Sequence, residues 1–361
     1  MPATSRSTIL EVARDAGVSK TSVSRYLGGE RHRLSATLQR RIAASITRLG
    51  YRPNQMARGL KGGRSRLLGM VVADIRNPFT VDVLHGVEQA CREQGFSLLV
   101  CNTDNDPAQE REHLALLAAY RVEGLVVNAA GRPSAELRTL AGQGTPVVLL
   151  DRTLADFEAD VVGLDNGRAV DTALDHLLAQ GYTRLLYLGE PPEAASSRQR
   201  RRERFRQRLA AGGFTGDVIE LAMPPQDPSL ARALAAWLAE APDDANALLC
   251  ANGNVTLAVA HALRELDVTL GEVGLLGIDE LDWCALAGPG ITTLAQPTEA
   301  IGRAAVASLM RRLDADTAAT PPRRTDYMGR LIQRGSTQRQ GGVLPPNNRH
   351  EPTRPDPGDL A

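Results

Sequence analysis

Between Thr8 and Leu49, apolar residues recur three and four positions apart in three short runs: Ile9, Val12 and Ala13; Val23 and Leu27; then Leu38, Ile42, Ile46 and Leu49. That is the period of a helix with one apolar face, so three helices are predicted. Thr8 followed by Glu11 forms a capping box, Gly17 ends the first helix, and Ser19 caps the second. The second helix turns Val23 and Leu27 inward and Lys20, Thr21, Ser24 and Arg25 outward. Leu34-Ser35 leads into the third, with Arg40, Arg41 and Arg48 outside its core. Helix, glycine-containing turn and helix is the helix-turn-helix pattern.

From Leu67 the pattern changes to short apolar runs between amphipathic stretches. Strands are predicted at 67–73, 97–101, 124–128 and 146–150, with helices near 79–94, 107–120 and 134–142. A second series follows at 184–188, 218–221, 247–251 and 273–277. Alternation of strand and helix implies parallel sheets covered on both faces, and two consecutive series imply two doubly wound α/β lobes with a cleft between them. Beyond Arg334 the periodicity is lost. The predicted organisation is therefore a three-helix headpiece over 1–53, a hinge and linker over 54–66, a two-lobed core over 67–336, and a disordered tail over 337–361.

Charge changes the picture of the headpiece. Residues 1–66 hold fourteen Lys and Arg against three Asp and Glu, about +11, while the whole chain of 361 residues has no net charge. The remainder carries about −11, an asymmetry expected of a phosphate-binding module joined to an acidic body. The four cysteines, Cys91, Cys101, Cys250 and Cys284, fit neither a zinc ribbon nor a CxxC pair and read as buried thiols. No run of eighteen apolar residues predicts a membrane span. The N-terminus enters a polar helix cap without an apolar signal core, so a cytoplasmic protein is expected.

The runs Val18-Ser-Lys-Thr-Ser-Val-Ser-Arg-Tyr-Leu27 and Tyr51-Arg-Pro-Asn-Gln-Met-Ala-Arg-Gly-Leu60, some thirty residues apart, closely resemble the headpiece and hinge of the lactose-repressor (LacI-type) family of bacterial transcription regulators. The downstream chain resembles the same family to about residue 336. The resemblance implies that the second helix enters the major groove of double-stranded operator DNA, with Lys20, Thr21 and Arg25 nearest the base edges. Arg suits guanine, and Thr either hydrogen-bonding atoms or a thymine methyl. Ser19, Ser24 and Tyr51 are expected as phosphate contacts or framework. In the hinge, Asn54, Ala57, Leu60 and Lys61 are the matching contacts, and Leu60 is the residue that would wedge into the minor groove. The loop Gly28–Arg33 is one residue longer than the usual pattern. A homodimer is expected, because the family's apolar tetramer-forming tail has no counterpart here.

Ligands of doubly wound sheets sit beyond the carboxyl ends of the strands. Those loops supply Asn77, Phe79, Asp104, Arg152, Arg201, Asn252, Asp279 and Trp283 as candidate effector contacts. Amides and carboxylates suit vicinal hydroxyls, an aromatic ring covers an apolar face, and Arg suits an acid group. By resemblance, Asn77 and Phe79 match the loop that packs over the ligand, Arg201 the pocket arginine, and Asn252 and Asp279 the hydroxyl-binding pair. Two departures stand out. Gly253 replaces a frequent Asp, and Arg198, Arg200, Arg202 and Arg204 crowd one helix start; with Arg152 and Arg201 these favour an anionic sugar acid over a neutral sugar. The stretches Leu276–Cys284 and Gly288–Pro297 resemble regulators responding to gluconate or 2-ketogluconate. No cofactor or metal site is expected. Nor is an enzyme, because Asp279 with Asp282 has no activated nucleophile near it. The rival readings are a regulator whose corepressor strengthens DNA binding and, more remotely, a sugar-binding protein without DNA function.

Overall fold

The computed structural model describes residues 7–51, 64–128, 134–221, 228–314 and 320–339, and divides the chain into two units at Ser65/Arg66. In the first unit, α1 (Ile9–Asp15), α2 (Lys20–Leu27) and α3 (Ala36–Arg48) each begin at a side-chain cap. Thr8 and Glu11 cap reciprocally, Ser19 Oγ accepts from Ser22 N at 3.1 Å, and Ser35 Oγ accepts from Leu38 N at 3.3 Å. Val12, Ala13, Ala16, Val23, Leu34 and Ile42 form the core, with Ile46, Leu49 and Tyr51 packed on it. Leu38, expected in this core, stays half-exposed, and Leu34 fills the position from the loop before α3. A 3-10 turn, Arg31–Arg33, takes up the longer loop. The hinge residues Asn54, Ala57, Leu60 and Lys61 lie outside the described residues.

The second unit holds two six-stranded sheets. The first has the order β11-β5-β4-β3-β1-β2, from β1 (Leu67–Val72), β2 (Ser97–Asn102), β3 (Gly124–Asn128), β4 (Val147–Leu150), β5 (Asp160–Leu164) and β11 (Arg324–Tyr327). The other runs β12-β10-β9-β8-β6-β7, from β6 (Arg184–Gly189), β7 (Thr215–Glu220), β8 (Asn246–Cys250), β9 (Gly274–Ile278), β10 (Thr292–Ala295) and β12 (Arg330–Ile332). Every pairing is parallel except β10 with β12. Helices α4 (Pro78–Glu93), α5 (Pro107–Ala119) and α6 (Ala135–Gly142) serve the first lobe. The second has α7 (Asn166–Ala179), α8 (Ser196–Ala210), α9 (Pro228–Glu240) and α10 (Gly253–Glu265). The eight strands expected from the pattern are present; β5, β10, β11 and β12 are additions.

The chain passes between lobes three times, after β5, after β10 and after β11. The second passage returns α11 (Thr298–Asp314) to the first lobe, where Ile301, Ala305, Val306 and Leu309 enter its core. Here α11 meets α4 at a glycine pair. A Cβ on Gly86 would lie 2.6 Å from Glu299 O, and one on Gly302 2.5 Å from Val83 O, so only hydrogen fits at either position. Leu164, Ala169, Ile278 and Leu294 form a small cluster where the passages meet. Asp160, 1% exposed, fixes the edge: Arg312 grips both its oxygens at 2.7 and 2.8 Å, Arg311 approaches at 3.0 Å, and Arg323 N donates at 2.7 Å. Burial works to raise the Asp160 pKa, but these donors and charges outweigh it and the net shift is downward.

All four cysteines are buried and unpaired. No helix among the described residues is long and apolar enough to cross a membrane. The tail expected from 337 starts too early: Thr337 is fully buried, beside Ser336 at the end of the expected core. Ser336 Oγ donates to Leu275 O at 2.6 Å and accepts from Thr292 N at 2.8 Å, and Thr337 Oγ1 lies 2.7 Å from Thr292 Oγ1 and 2.8 Å from His176 Nε2. These hydroxyls replace the apolar side chains whose periodicity a sequence reading seeks. Residues 340–361 lie outside the described residues.

His176 is buried, and desolvation lowers its pKa. The unfolded chain therefore takes up this proton first, so stability is whole above about pH 6.5 and falls as pH drops through that value toward the folded pKa. Urea unfolding between pH 7.5 and 5 should show this loss, at most about 1.4 kcal/mol per pH unit. His176→Gln should flatten the profile; an unchanged slope in the variant would rule His176 out as its source.

Candidate nucleic-acid interface and ligand cleft

On α2, Val23 is buried and Leu27 packs inward, which fixes the helix rotation and leaves Lys20, Thr21, Ser24 and Arg25 exposed on the opposite face. Thr21 and Arg25 are one turn apart, so their side chains share a face. Ser19 spends its hydroxyl on the cap and on Ser22 Oγ at 3.0 Å. Tyr51 is half-buried against the core, a framework position. Glu30 lies 4.0 Å from Arg25 and 3.4 Å from Arg33, an acidic neighbour that holds the arginine without covering it. Elsewhere on the headpiece Arg14, Arg40, Arg41 and Arg48 are exposed. Arg41 also donates to Gly17 O at 3.1 Å, and Arg48 pairs with Asp15, whose carboxyl it holds below the ordinary range.

In the second unit the strand ends of the two lobes face one another. Thr153 N, beyond β4, donates to Ser196 Oγ at the start of α8 at 2.8 Å. Arg201 is 5% exposed; its Nε donates to Asn166 Oδ1 at 2.6 Å and its Nη1 to Ala251 O at 2.5 Å. Asn166 begins α7, directly after the first passage between lobes, so Arg201 ties that passage to the end of β8. Asn252 caps α10, accepting from Val255 N at 3.0 Å, and donates to Glu190 Oε2 at 2.6 Å. Asp279, 7% exposed and held at a φ of +87°, accepts from Gly253 N at 2.9 Å and from Gln296 Nε2 at 2.6 Å. A Cβ on Gly253 would lie 2.7 Å from Leu281 Cδ1, a side-chain end that would have to shift to admit it.

The first-lobe side is also charged. Arg152 is half-buried; desolvation lowers its pKa, Asp151 and Glu190 oppose that, and Arg198 and Arg201 reinforce it. Asp82, on α4, has its pKa raised by burial and then by Asp279 and Asp282 of the other lobe. Asn128, at the end of β3, is buried and donates to Leu150 O at 3.0 Å.

Arg152, Arg201, Asn252 and Asp279 thus converge where the cleft was expected, and other candidates do not. Phe79, expected over the ligand, is 8% exposed and belongs to the first-lobe core with Val83 and Val87. Asn77 caps α4 through Phe79 N at 3.1 Å. Asp104 is exposed in a left-handed turn, accepts from Asn102 Nδ2 at 2.9 Å, and pairs with Arg76 at 3.7 Å. Trp283 sits in a 3-10 turn, Asp282–Ala285, and lines an outer groove of the second lobe with Leu257, His261, Leu270 and Leu286. Other α8 arginines are paired: Arg198, Arg202 and Arg204, counted above among the charges favouring an anion, with Glu190, Glu220 and Asp171 in turn, and Arg208 also with Asp171. Glu190, Asn166 and Gln296 were missed. Glu190 follows a predicted strand and was findable there; the other two follow β5 and β10, whose brief runs Val161–Leu164 and Thr292–Ala295 were the only signals.

Among the described residues no group of three His, Cys, Asp or Glu side chains is placed to hold a metal. The arrangement offers guanidiniums, amides and a carboxylate to a hydroxylated anion.

Comparison with known proteins gives two family matches: "Bacterial regulatory proteins, lacI family" over residues 8–54, and "Periplasmic binding protein-like domain" over residues 174–337. The HTH-type transcriptional regulator PtxS of Pseudomonas aeruginosa is 49% identical over 94% of this chain and 98% of its own. The HTH-type transcriptional regulator KdgR of Bacillus subtilis is 38% identical over 92% and 98%. In fold, the chain is similar to the lac repressor dimer bound to operator and the anti-inducer ONPF, at a TM-score of 0.78 and 19% identity, covering 92% of this chain and 99% of that one.

The Arg201 anchor is open to a direct test. Asn166→Ala leaves a buried guanidinium N–H without its acceptor, and should lower stability by about 1.5–3 kcal/mol in chemical unfolding. Asn166→Asp supplies an acceptor again but loses the bond from Nδ2 to Leu164 O, so it should recover part of the loss. Loss of equal size in both variants would show that Asn166 acts by something other than this bond.

Proposed function

The chain belongs to the lacI family of bacterial regulatory proteins, DNA-binding transcription regulators rather than enzymes, and from that premise we propose that it represses sugar-acid catabolism genes until a sugar acid binds between its lobes. Gluconate and 2-ketogluconate are the proposed effectors. The observation that carries this reading is the gathering of Arg152, Arg198 and Arg201 at the facing strand ends, beside the amide of Asn252 and the carboxylate of Asp279. Guanidiniums match a carboxylate, while an amide and a carboxylate match hydroxyls.

Lys20, Thr21 and Arg25 are the proposed base-reading side chains, with Ser19, Ser24, Tyr51, Asn54, Ala57, Leu60 and Lys61 positioning the DNA or the hinge. The acting form is a homodimer on a near-palindromic operator, each headpiece on one half-site. Val81, 48% exposed on α4, and Leu286, 83% exposed beside the Trp283 groove, are apolar residues that a second copy would cover. Effector binding works by population shift, because an effector moves the equilibrium only as far as it favours one arrangement of the lobes. Domain limits follow the same proposal: 1–53 headpiece, 54–66 hinge and linker, and a core from 67 that runs past 336 to include Thr337.

Two measurements on the full chain test this. In thermal unfolding against neutral sugars, purines, gluconate and 2-ketogluconate, a sugar acid at a hundred times its Kd should stabilise by about 2.7 kcal/mol. Arg152→Ala should remove the effect; no shift with either acid would end the sugar-acid reading. For DNA, selection from random duplexes should return a near-palindrome. Arg25→Ala should weaken binding to the selected duplex by about 1–3 kcal/mol, with little change on unselected DNA. Equal weakening on both would remove Arg25 as a base reader. Adding the acid to the selected complex gives the sign: release marks an inducer, and tightening marks a corepressor.

A further inference from the structure

Glu190 stands immediately after β6, and its side chain is 11% exposed. Oε1 lies 2.7 Å from Arg198 Nη2, and Oε2 accepts from Asn252 Nδ2 at 2.6 Å. The Asn252 amide cannot turn away, because its oxygen caps α10. The cleft therefore already contains one carboxylate gripped between a guanidinium and an amide, the grip expected for the acid group of a ligand.

The charges around Arg152 show what that carboxylate does. The guanidinium has Asp151, Arg198, Glu190 and Arg201 as its charged neighbours. Arg200 also has Asp151 as a neighbour, so the carboxylates of Asp151 and Glu190 stand among several guanidiniums, and Glu190 is the one held by Arg198. The next acidic side chain, Asp279, is turned to Gly253 N and Gln296 Nε2. Asp82 faces Asp279 and Asp282, which adds negative charge on that side. The fixed Glu190 carboxylate repels each negative charge that a ligand brings, so an acid that also carries a phosphate is repelled more than one with a single charge.

We propose that Glu190 is a specificity-determining residue, an internal carboxylate that occupies Arg198 and favours singly charged sugar acids over acids that also carry a phosphate ester. This rests on the sugar-acid reading given above. It discriminates by repulsion, since the disfavoured ligand meets a like charge that cannot leave without stranding Arg198.

Titration calorimetry on the full chain tests it, with 2-ketogluconate and 6-phosphogluconate as probes against wild type, Glu190→Gln and Glu190→Ala. Glu190→Gln keeps an oxygen for Asn252 but removes the charge. Its ratio of affinities should move toward 6-phosphogluconate by at least about tenfold, a modest part of a unit-charge interaction at contact distance. Glu190→Ala should move the ratio the same way even if the loss of support for Asn252 weakens both ligands, because a structural defect lowers both affinities without favouring the dianion. Binding of 2-ketogluconate with the same ratio in all three proteins overturns the role of Glu190 and leaves the sugar-acid reading standing. Failure of both acids to bind any of the three overturns the two together.

Discussion

A guanidinium removed from water must be met by oxygen acceptors, and the organisation of the cleft follows from how Arg201 meets that demand. Its two acceptors come from distant parts of the chain, Asn166 just past a passage between the lobes and the carbonyl of Ala251 at the end of β8. Asp279 repeats the arrangement with Gly253 N and Gln296, and Asn252 with Glu190 and Val255 N. Parallel strands deliver these groups to one edge, and the edge is covered by polar groups that satisfy one another. Under the proposed reading, a ligand entering there would exchange partners with side chains already in use. An exchange of this kind can favour one lobe arrangement over another, which is the requirement for sensing.

Much of this was legible in the residues. A capping box, helical spacing and apolar runs gave the headpiece helices and eight of the twelve strands among the described residues, and looking beyond strand ends pointed to Arg152, Arg201, Asn252 and Asp279, which the fold brings to one edge. Three of the four missed strands have a physical reason. Strand β11 is an edge strand, β12 is an antiparallel edge, and β5 opens on Asp160, whose charge is neutralised by Arg311 and Arg312 from 150 residues further on. Such a carboxylate reads as surface until its partners are known. Phe79 and Trp283 failed in the opposite sense. An aromatic residue near a strand end looks like a ligand platform, but Phe79 is drawn into the core by the first turn of α4 and Trp283 faces α10.

The arginine-rich helix α8 shows why a charge run carries little meaning until it is resolved by rotation. Arg201, Arg204 and Arg208 follow one another at three and four residues, hence on adjoining faces. Arg201 points into the cleft, while Arg204 and Arg208 meet Asp171 on α7. Arg202 is turned to Glu220 on β7, and Arg198, one turn earlier, to Glu190. Most of the positive charge is thus cancelled within the second lobe. What is left for a ligand is local, and acidic neighbours a few ångströms away set its amount.

The same economy governs the end of the described chain. Arg334 pairs with Glu280 and donates to Ile291 O at 2.8 Å, while Ser336 and Thr337 seal the base of β9 and β10 with hydroxyls. Glu280 is the residue after Asp279, so the returning segment fixes the loop whose carboxylate turns toward Gly253. Because β11 and β12 join opposite sheets two residues apart, the strap that steadies this loop is also the third passage between the lobes. Within the second lobe, Arg334 and Glu280 thus tie the segment that follows the third passage to the loop that carries Asp279.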